Sequence, residues 1–359
     1  MTRRLRVLAL ATYPIEAAAS RYRIVQFIKP LAARGIDVTF SPFLDAPLFN
    51  ALYEPRRLLR RLPRLIWRLL RRLADVVRAS RADVVWIQRE AMLFGPPVIE
   101  WLVARVLRKP VVLDLDDPTY VPYVSPVYGR FATWLKWPSK ADTLIRWSQS
   151  VIAGSRTVAD YAGPKAVVVP TIVDLDVFKP SGAAGSQPAV IGWIGTHGTF
   201  PYLEPILPTL AKLAREHDFL LRIIGSGQTT VAVPRAELKP WRLEDELTDV
   251  QSFDIGLYPI TEDRWSVGKS GFKAVQYMAA GVPFVMSPVG VSASIGMDGS
   301  THFLARTPEE WYARLSALLG DAALRRTMGE AARKFAEEHY GVEQHAGKVA
   351  EVLLAAAPA

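Results

Sequence analysis

The chain has 359 residues, half of them apolar, a formal charge of +9 and no cysteine. That length can bury a large core and suffices for two domains. Without thiols there are no disulfides, cysteine nucleophiles or cysteine-ligated metals, and the five histidines keep no metal-ligand spacing, so no metal or other cofactor is expected.

The opening MTRRLRVLALATYP reads as a strand start rather than a signal peptide. Every apolar run is shorter than a membrane span, and a cytoplasmic location is expected. Strands are predicted at Leu5 to Ala11, Asp37 to Phe40, Asp83 to Gln88, Val111 to Leu115, Ser150 to Gly154 and Ala166 to Pro170. Helices are predicted at Arg21 to Arg34, Pro63 to about Arg78, Pro96 to Leu107 and Lys140 to Trp147. The strands are short and almost continuously apolar (VVWIQ, VVLDL), as in a parallel sheet covered on both faces. PSGAAGSQP, Pro180 to Pro188, has linker composition.

The alternation then restarts. Strands are predicted at Ala189 to Gly195, Phe219 to Gly225, Asp254 to Tyr258 and Pro283 to Ser287, with helices at Tyr202 to Glu216 and Leu243 to Phe253. Thr307-Pro308-Glu309-Glu310 is a capping box with proline at the first helical position, and helices follow to the end. The expected architecture is α/β: two doubly wound Rossmann-like domains, 1–178 and 189–338, a linker at 179–188, and a closing helix over 339–359 with the option of packing back on the first domain. Ligands in such folds sit at strand C-termini, which makes the cleft between domains the default site.

Within GKSGFKAVQYMAAG, Lys269 and Lys273 fall in the first turn of a predicted helix, where backbone N–H groups favour an anion. An ordinary surface helix with two solvated lysines is the alternative. Gly268-Lys269-Ser270 is not a P-loop, because the position needing its first glycine is Asp263 and Arg264 and Trp265 intervene. Gly195-Thr196-His197-Gly198-Thr199 could bring backbone N–H groups to a diphosphate, with His197 as an added donor or simply solvated. Gly225-Ser226-Gly227 ends the next strand but lacks the third glycine of a dinucleotide fingerprint. In the first half, Asp114, Asp116 and Asp117 crowd one strand end, with Arg21, Arg23 and Arg89 as partners from neighbouring loops.

Ten arginines against two acids lie between Glu54 and Arg81, a local excess of +8. In the helix from Pro63, the leucines and valines share one broad face. Arg64, Arg68, Arg71, Arg72 and Arg78 take much of the other, with Trp67 near the boundary. The expectation is that the leucine face packs on the sheet while the arginines face outward. Arg64, Trp67, Arg68, Arg71 and Arg72 would then form a patch for an anionic membrane surface. No nucleic acid is expected, since no aromatic stacking motif is interleaved with the arginines.

Eight phrases in order, among them ASRYRIVQFIKPLAARGI, LDLDDP, VIAGSRTVADYA, IGWIGTHGTFPYLEPI, FDIGLYPI and GKSGFKAVQYMAAGVPFVMSPVGV, make the chain similar to the retaining, nucleotide-sugar-dependent family 4 glycosyltransferases of GT-B fold. The resemblance implies a donor nucleotide diphosphate sugar on the C-terminal domain, held by Gly195, Thr196, His197, Gly225, Arg264, Lys269, Lys273 and Gln276. It implies a lipid-linked or glycan acceptor on the N-terminal domain near Arg21, Arg23 and Arg89, with Asp116, Asp117 and Lys273 as catalytic residues. The departing diphosphate would take the acceptor proton, and the product would belong to envelope polysaccharide or glycolipid synthesis. The family pattern places acids at both ends of this signature; here they are Gly268 and Gln276. That departure leaves room for a nucleotide-sugar epimerase or hydrolase of the same fold, or for a non-catalytic binder.

Overall fold

The computed structural model describes residues 3–52, 54–122, 129–181 and 185–358. The chain divides into two units: Met1–Thr171 with Gly268–Ser270 and Val342–Ala359, and Ile172–Val267 with Gly271–Gly341. The boundaries expected at 178 and 338 therefore move to 171 and 341, and residues 182–184 of the expected linker lie outside the described residues. The last helix, Val342–Ala356, packs on the sheet of the first unit and ties to it through Arg34–Glu343 at 2.8 Å.

In the first unit six parallel strands, β1 (Leu5–Ala11), β2 (Ile36–Pro42), β3 (Val84–Gln88), β4 (Val111–Leu115), β5 (Ser150–Ala153) and β6 (Ala166–Val168), run in the order β2-β1-β3-β4-β5-β6. Every residue of β3 and β4 is buried, which is why their sequences are nearly continuous apolar runs instead of alternating ones, with Gln88 and Asp114 the buried exceptions. The helix predicted over Arg21 to Arg34 is broken into Ala18–Arg23, a short 3-10 turn and Ile28–Ala33. The one predicted over Pro96 to Leu107 is a single α-turn, Val98–Trp101, running into a π-helix, Leu102–Val106.

The second unit repeats the plan. β7 (Ala189–Ile194), β8 (Phe219–Ile224), β9 (Ala236–Lys239), β10 (Ile255–Tyr258), β11 (Phe284–Met286) and β12 (Phe303–Leu304) are parallel in the order β12-β11-β10-β7-β8-β9. Successive β7 residues serve opposite cores: Ile191 and Trp193 pack with Leu210, Leu221 and Trp311, while Val190 and Ile194 pack with Tyr277, Met278 and Phe284. The capping box forms as spaced, with Thr307 Oγ1 accepting from Glu310 N at 3.2 Å at the head of helix Pro308–Gly320.

One buried group gives this unit a pH dependence. His302 is 1% exposed, stacks on Phe284 with centroids 5.0 Å apart, and meets Thr301 Oγ1 through Nδ1 at 2.8 Å, while Nε2 has no hydrogen-bond partner. Burial pushes its pKa down to about 4. Between pH 6.5 and 4 the unfolded chain binds a proton here that the folded chain refuses. Stability from this site is therefore intact above pH 6.5 and falls on acidification by about 3 kcal/mol. In thermal unfolding across that window, His302→Asn should flatten the slope whatever it does at neutral pH. An unchanged slope would refute the assignment.

Candidate functional site

Because both sheets are parallel, each helix that precedes a strand starts at the C-terminal edge of the sheet. The chemistry in each unit gathers there.

In the second unit the helix Phe272–Ala279 opens at that edge. Gly271 caps it with φ 71°, and a side chain there would collide with Ile295, so the entry turn belongs to glycine twice over. No side chain caps this end. The helix starts three residues later than the sequence pattern suggests. Lys273 is its second residue, while Lys269 stands before it in the segment Gly268–Ser270, which belongs to the first unit. The two ammonium groups are thus not neighbours on one helical turn.

Lys273 Nζ donates to Gln276 Oε1 at 3.1 Å, and Gln276 Nε2 donates to Glu246 Oε1 at 3.0 Å. Gln276 is fully buried and Glu246 is 5% exposed. Glu246 is the first residue of helix Glu246–Gln251, which precedes β10 and so opens at the same edge. A cation, an amide and a carboxylate are strung together there, each fixing the next. Sequence reasoning missed Glu246. The available signal was an acid in a first helical turn, but its pairing across 30 residues is visible only in three dimensions.

The turn after β7 is held by Thr199, whose Oγ1 accepts from Thr196 N at 2.9 Å. Gly195 is buried against Trp193, whereas Thr196 and His197 are exposed. The His197 ring lies over Gly227, where a Cβ would fall 1.8 Å from Nε2, and Gly227 sits at φ 70°. Glycine at 227 leaves room for the exposed imidazole to rest on the loop after β8, and the positive φ there favours glycine independently. Gly225, at φ 77°, lies against the Gly195 carbonyl. Arg264 is exposed.

In the first unit Arg23, with its side chain fully buried, makes a bidentate pair with Asp114 at 2.9 and 3.1 Å and donates to the Val169 carbonyl at 2.5 Å. Arg89 grips Asp116 through both oxygens at 2.6 and 2.7 Å and reaches Asp117 at 2.6 Å, while Gln88 Nε2 adds a bond to Asp116 at 3.1 Å. Arg89 does this from φ 60°, a backbone state that costs of order 1–3 kcal/mol outside glycine and that tertiary contacts must hold. Arg21 donates to the Ile15 and Glu16 carbonyls.

Burial disfavours the charged forms in this cluster, yet Arg89 holds Asp116 below the usual carboxylate range, and the carboxylates hold Arg89 well above its ordinary value. Burial pushes Asp114 up to about 6 against the pull of Arg23. A carboxylate clamped at both oxygens and kept ionised suits a fixed negative post better than a proton carrier. Such a clamp holds the strand-end loops in place.

The arginine helix, Leu62–Arg81, inverts the expected arrangement. Its buried residues are Arg68, Arg72, Asp75 and Ala79, and its exposed ones include Leu62, Ile66, Trp67, Leu69, Leu70, Leu73 and Val77. Arg72 donates to the Ser41 carbonyl at 3.1 Å, to Asp75 at 3.1 Å and to the Ala11 carbonyl at 2.8 Å; Arg68 donates to Phe43 O at 2.6 Å and to Pro42 O. These are carbonyls at or just past the ends of β1 and β2, where the arginines add donors beside the last rungs of the ladder; Ala11 O also accepts from Phe43 N at 2.7 Å. Arg68 and Arg72 therefore leave the expected membrane patch, whereas Arg64, Trp67 and Arg71 remain exposed.

No curated protein sequence matches the chain. Residues 189–321 match the family model described as glycosyl transferases group 1, a range that falls in the second unit apart from Gly268–Ser270. Among solved structures, sucrose-phosphate synthase from Thermosynechococcus elongatus superposes with a TM-score of 0.70 at 14% identity, covering 99% of this chain and 100% of that one. Anabaena HepE, solved in complex with UDP and glucose, gives 0.68 at 15% identity over 97% and 99%. A glycosyltransferase from Rickettsia africae gives 0.68 at 12% identity over 99% of each chain. At these identities the likeness is one of fold. The chain has the two-domain Rossmann-like fold of the GT-B glycosyltransferases, matches the glycosyl transferases group 1 model over residues 189–321, and resembles the family 4 enzymes.

Proposed function

We propose that the protein transfers a sugar, with retention, from a nucleotide diphosphate sugar to a lipid-linked or glycan acceptor in envelope polysaccharide or glycolipid synthesis, working at an anionic membrane surface. The observation that carries the donor side is the Lys273–Gln276–Glu246 chain beside an uncapped helix start. An ammonium at the head of a helix favours a diphosphate, and the developing charge on the leaving group is what such a site stabilises. Glu246 brings a carboxylate to the neighbourhood of position 276, where the family pattern has an acid and this chain has an amide. A ribose diol is the natural donor to it.

His197 stands exposed on the adjoining loop as a further donor to phosphate or sugar. In the first unit the Arg89–Asp116–Asp117 cluster would orient the acceptor, with Asp117, bound by Arg89 through one oxygen, the freer of the two acids. The protein then contributes positioning and charge neutralisation, and the departing diphosphate receives the acceptor hydroxyl proton. That HepE has been solved with UDP and with UDP-glucose makes a uridine donor the first to try.

The test is nucleotide release from a panel of donor sugars, with and without glycan and polyprenyl-linked acceptors. Release that requires both a matching donor and an acceptor supports the transferase. Equal release without acceptor would assign a hydrolase, and no release with any pair would leave a binder.

A further inference from the structure

The inversion of the arginine helix changes what the first unit offers to its surroundings. A 20-residue helix turns its polar stripe inward and leaves Leu62, Ile66, Leu69, Leu70, Leu73 and Val77 between 40% and 63% exposed. Scattered apolar residues on a surface are ordinary; six on one helical face are not. At 100° per residue they span one continuous arc, with Trp67 at its margin. Arg64, Arg71 and Arg78, spaced by sevens, form a ridge along one edge of that arc, and all three are exposed.

The apolar surface extends past the other edge. The helix packs beside Val98–Trp101, where Val98 and Trp101 are 45% and 47% exposed. Leu65 shares a cluster with Met92 and Phe94, and the adjoining Gly95 N–H is bonded to Leu135 of the helix Gly129–Lys136 at 2.8 Å. That helix and the residue after it present Phe131, Trp134 and Trp137, 64%, 67% and 44% exposed.

We infer that this face inserts into the headgroup–acyl boundary of a lipid bilayer, the helix lying in the plane with its leucines down and its arginine ridge on the phosphates. The inference rests on the membrane reading above and replaces its mode of attachment: apolar insertion rather than attraction to an arginine surface. Charge complementarity selects a bilayer over a protein partner. A basic ridge running beside an apolar stripe, with tryptophans at the margins, matches the layering of an anionic membrane interface. The stripe lacks acidic residues, while Asp45 and Asp75, the acids nearest the ridge, are already paired with Arg64 and with Arg72 and Arg78.

The full-length protein is mixed with vesicles of phosphatidylcholine alone and of phosphatidylcholine with phosphatidylglycerol, at low and high salt, with brominated acyl chains as a depth probe. Insertion predicts quenching of tryptophan fluorescence by the brominated chains, and binding to anionic vesicles that survives high salt in good part. Ile66→Glu/Leu70→Glu/Leu73→Glu should reduce vesicle partitioning about 100-fold and remove the quenching, since each change trades a buried apolar side chain for a charge. Because these residues are already solvent-exposed, circular dichroism and nucleotide binding should stay as in the parent. Arg71→Glu, in the middle of the ridge, should weaken only the anionic, salt-sensitive part. Binding that is abolished by salt, unquenched and indifferent to the triple change would overturn insertion while leaving membrane association standing. Failure to bind any vesicle would overturn both, and a concentration-dependent dimer lost in the triple variant would assign the face to a second copy instead.

Discussion

Lys273→Ala should lower the affinity of the protein for a nucleoside diphosphate about 100-fold in calorimetry and leave the affinity for the corresponding nucleoside nearly unchanged. An ionised donor to phosphate contributes on the order of 1.5–3 kcal/mol, and the open helix start adds to it, so a loss near 2.7 kcal/mol is the expected size. The nucleoside control matters because Lys273 also donates to Gln276. If its removal merely let the Gln276–Glu246 pair collapse, nucleoside and diphosphate would suffer alike. Glu246→Gln tests the other end of the chain and should do the reverse, costing about tenfold for nucleoside and diphosphate equally, because the carboxylate is assigned to the ribose. A diphosphate affinity in Lys273→Ala within about threefold of the parent removes the donor site proposed here.

These residues also show how far a sequence can be read. Val111 to Leu115 is a strand with the ends expected of it, as is Leu5 to Ala11, because a mostly buried parallel strand writes itself as a nearly continuous apolar run, here interrupted only by Asp114 and Arg6. The capping box at Thr307 is equally plain, since both of its hydrogen bonds lie within four residues. The strands at Ala236–Lys239 and Phe303–Leu304 were illegible. The first, AELK, is half charged and edges the sheet; the second has two residues. The donor side was half legible. Lys273 advertises itself by its place in a first turn, while Glu246 owes its role to a contact made by another helix. The arginine helix misled for a physical reason. Apolar periodicity shows that two faces differ without saying which is inside, and the usual assumption fails here because Arg68 and Arg72 reach in to carbonyls at the strand ends and to Asp75.

That explanation of the inverted helix has a measurable consequence. Arg72→Ala should destabilise the first unit by about 3–5 kcal/mol in denaturant unfolding, the cost of breaking a buried ion pair from one side. The side chain is 1% exposed, and burial brings its pKa down to about 10, still far enough above neutrality to keep it charged. Its loss leaves the buried Asp75 with only the half-exposed Arg78 on Oδ1 at 3.0 Å and Ser41 Oγ on Oδ2 at 2.8 Å, and takes a donor from the Ser41 and Ala11 carbonyls, the latter still bonded by Phe43 N at 2.7 Å. Arg72→Leu/Asp75→Leu removes the under-compensated buried charge and should recover roughly half of the loss, but not all, because the Ser41 and Ala11 carbonyls still lack the guanidinium donors and Arg78 loses its carboxylate. If Arg72 instead faced lipid, as its sequence context suggests, the single change would barely move the unfolding midpoint and would weaken vesicle binding. The buried network requires the opposite pattern: a large loss of stability in the alanine variant, and undiminished partitioning into anionic vesicles in the double leucine variant, since both positions lie on the side of the helix turned away from the exposed stripe.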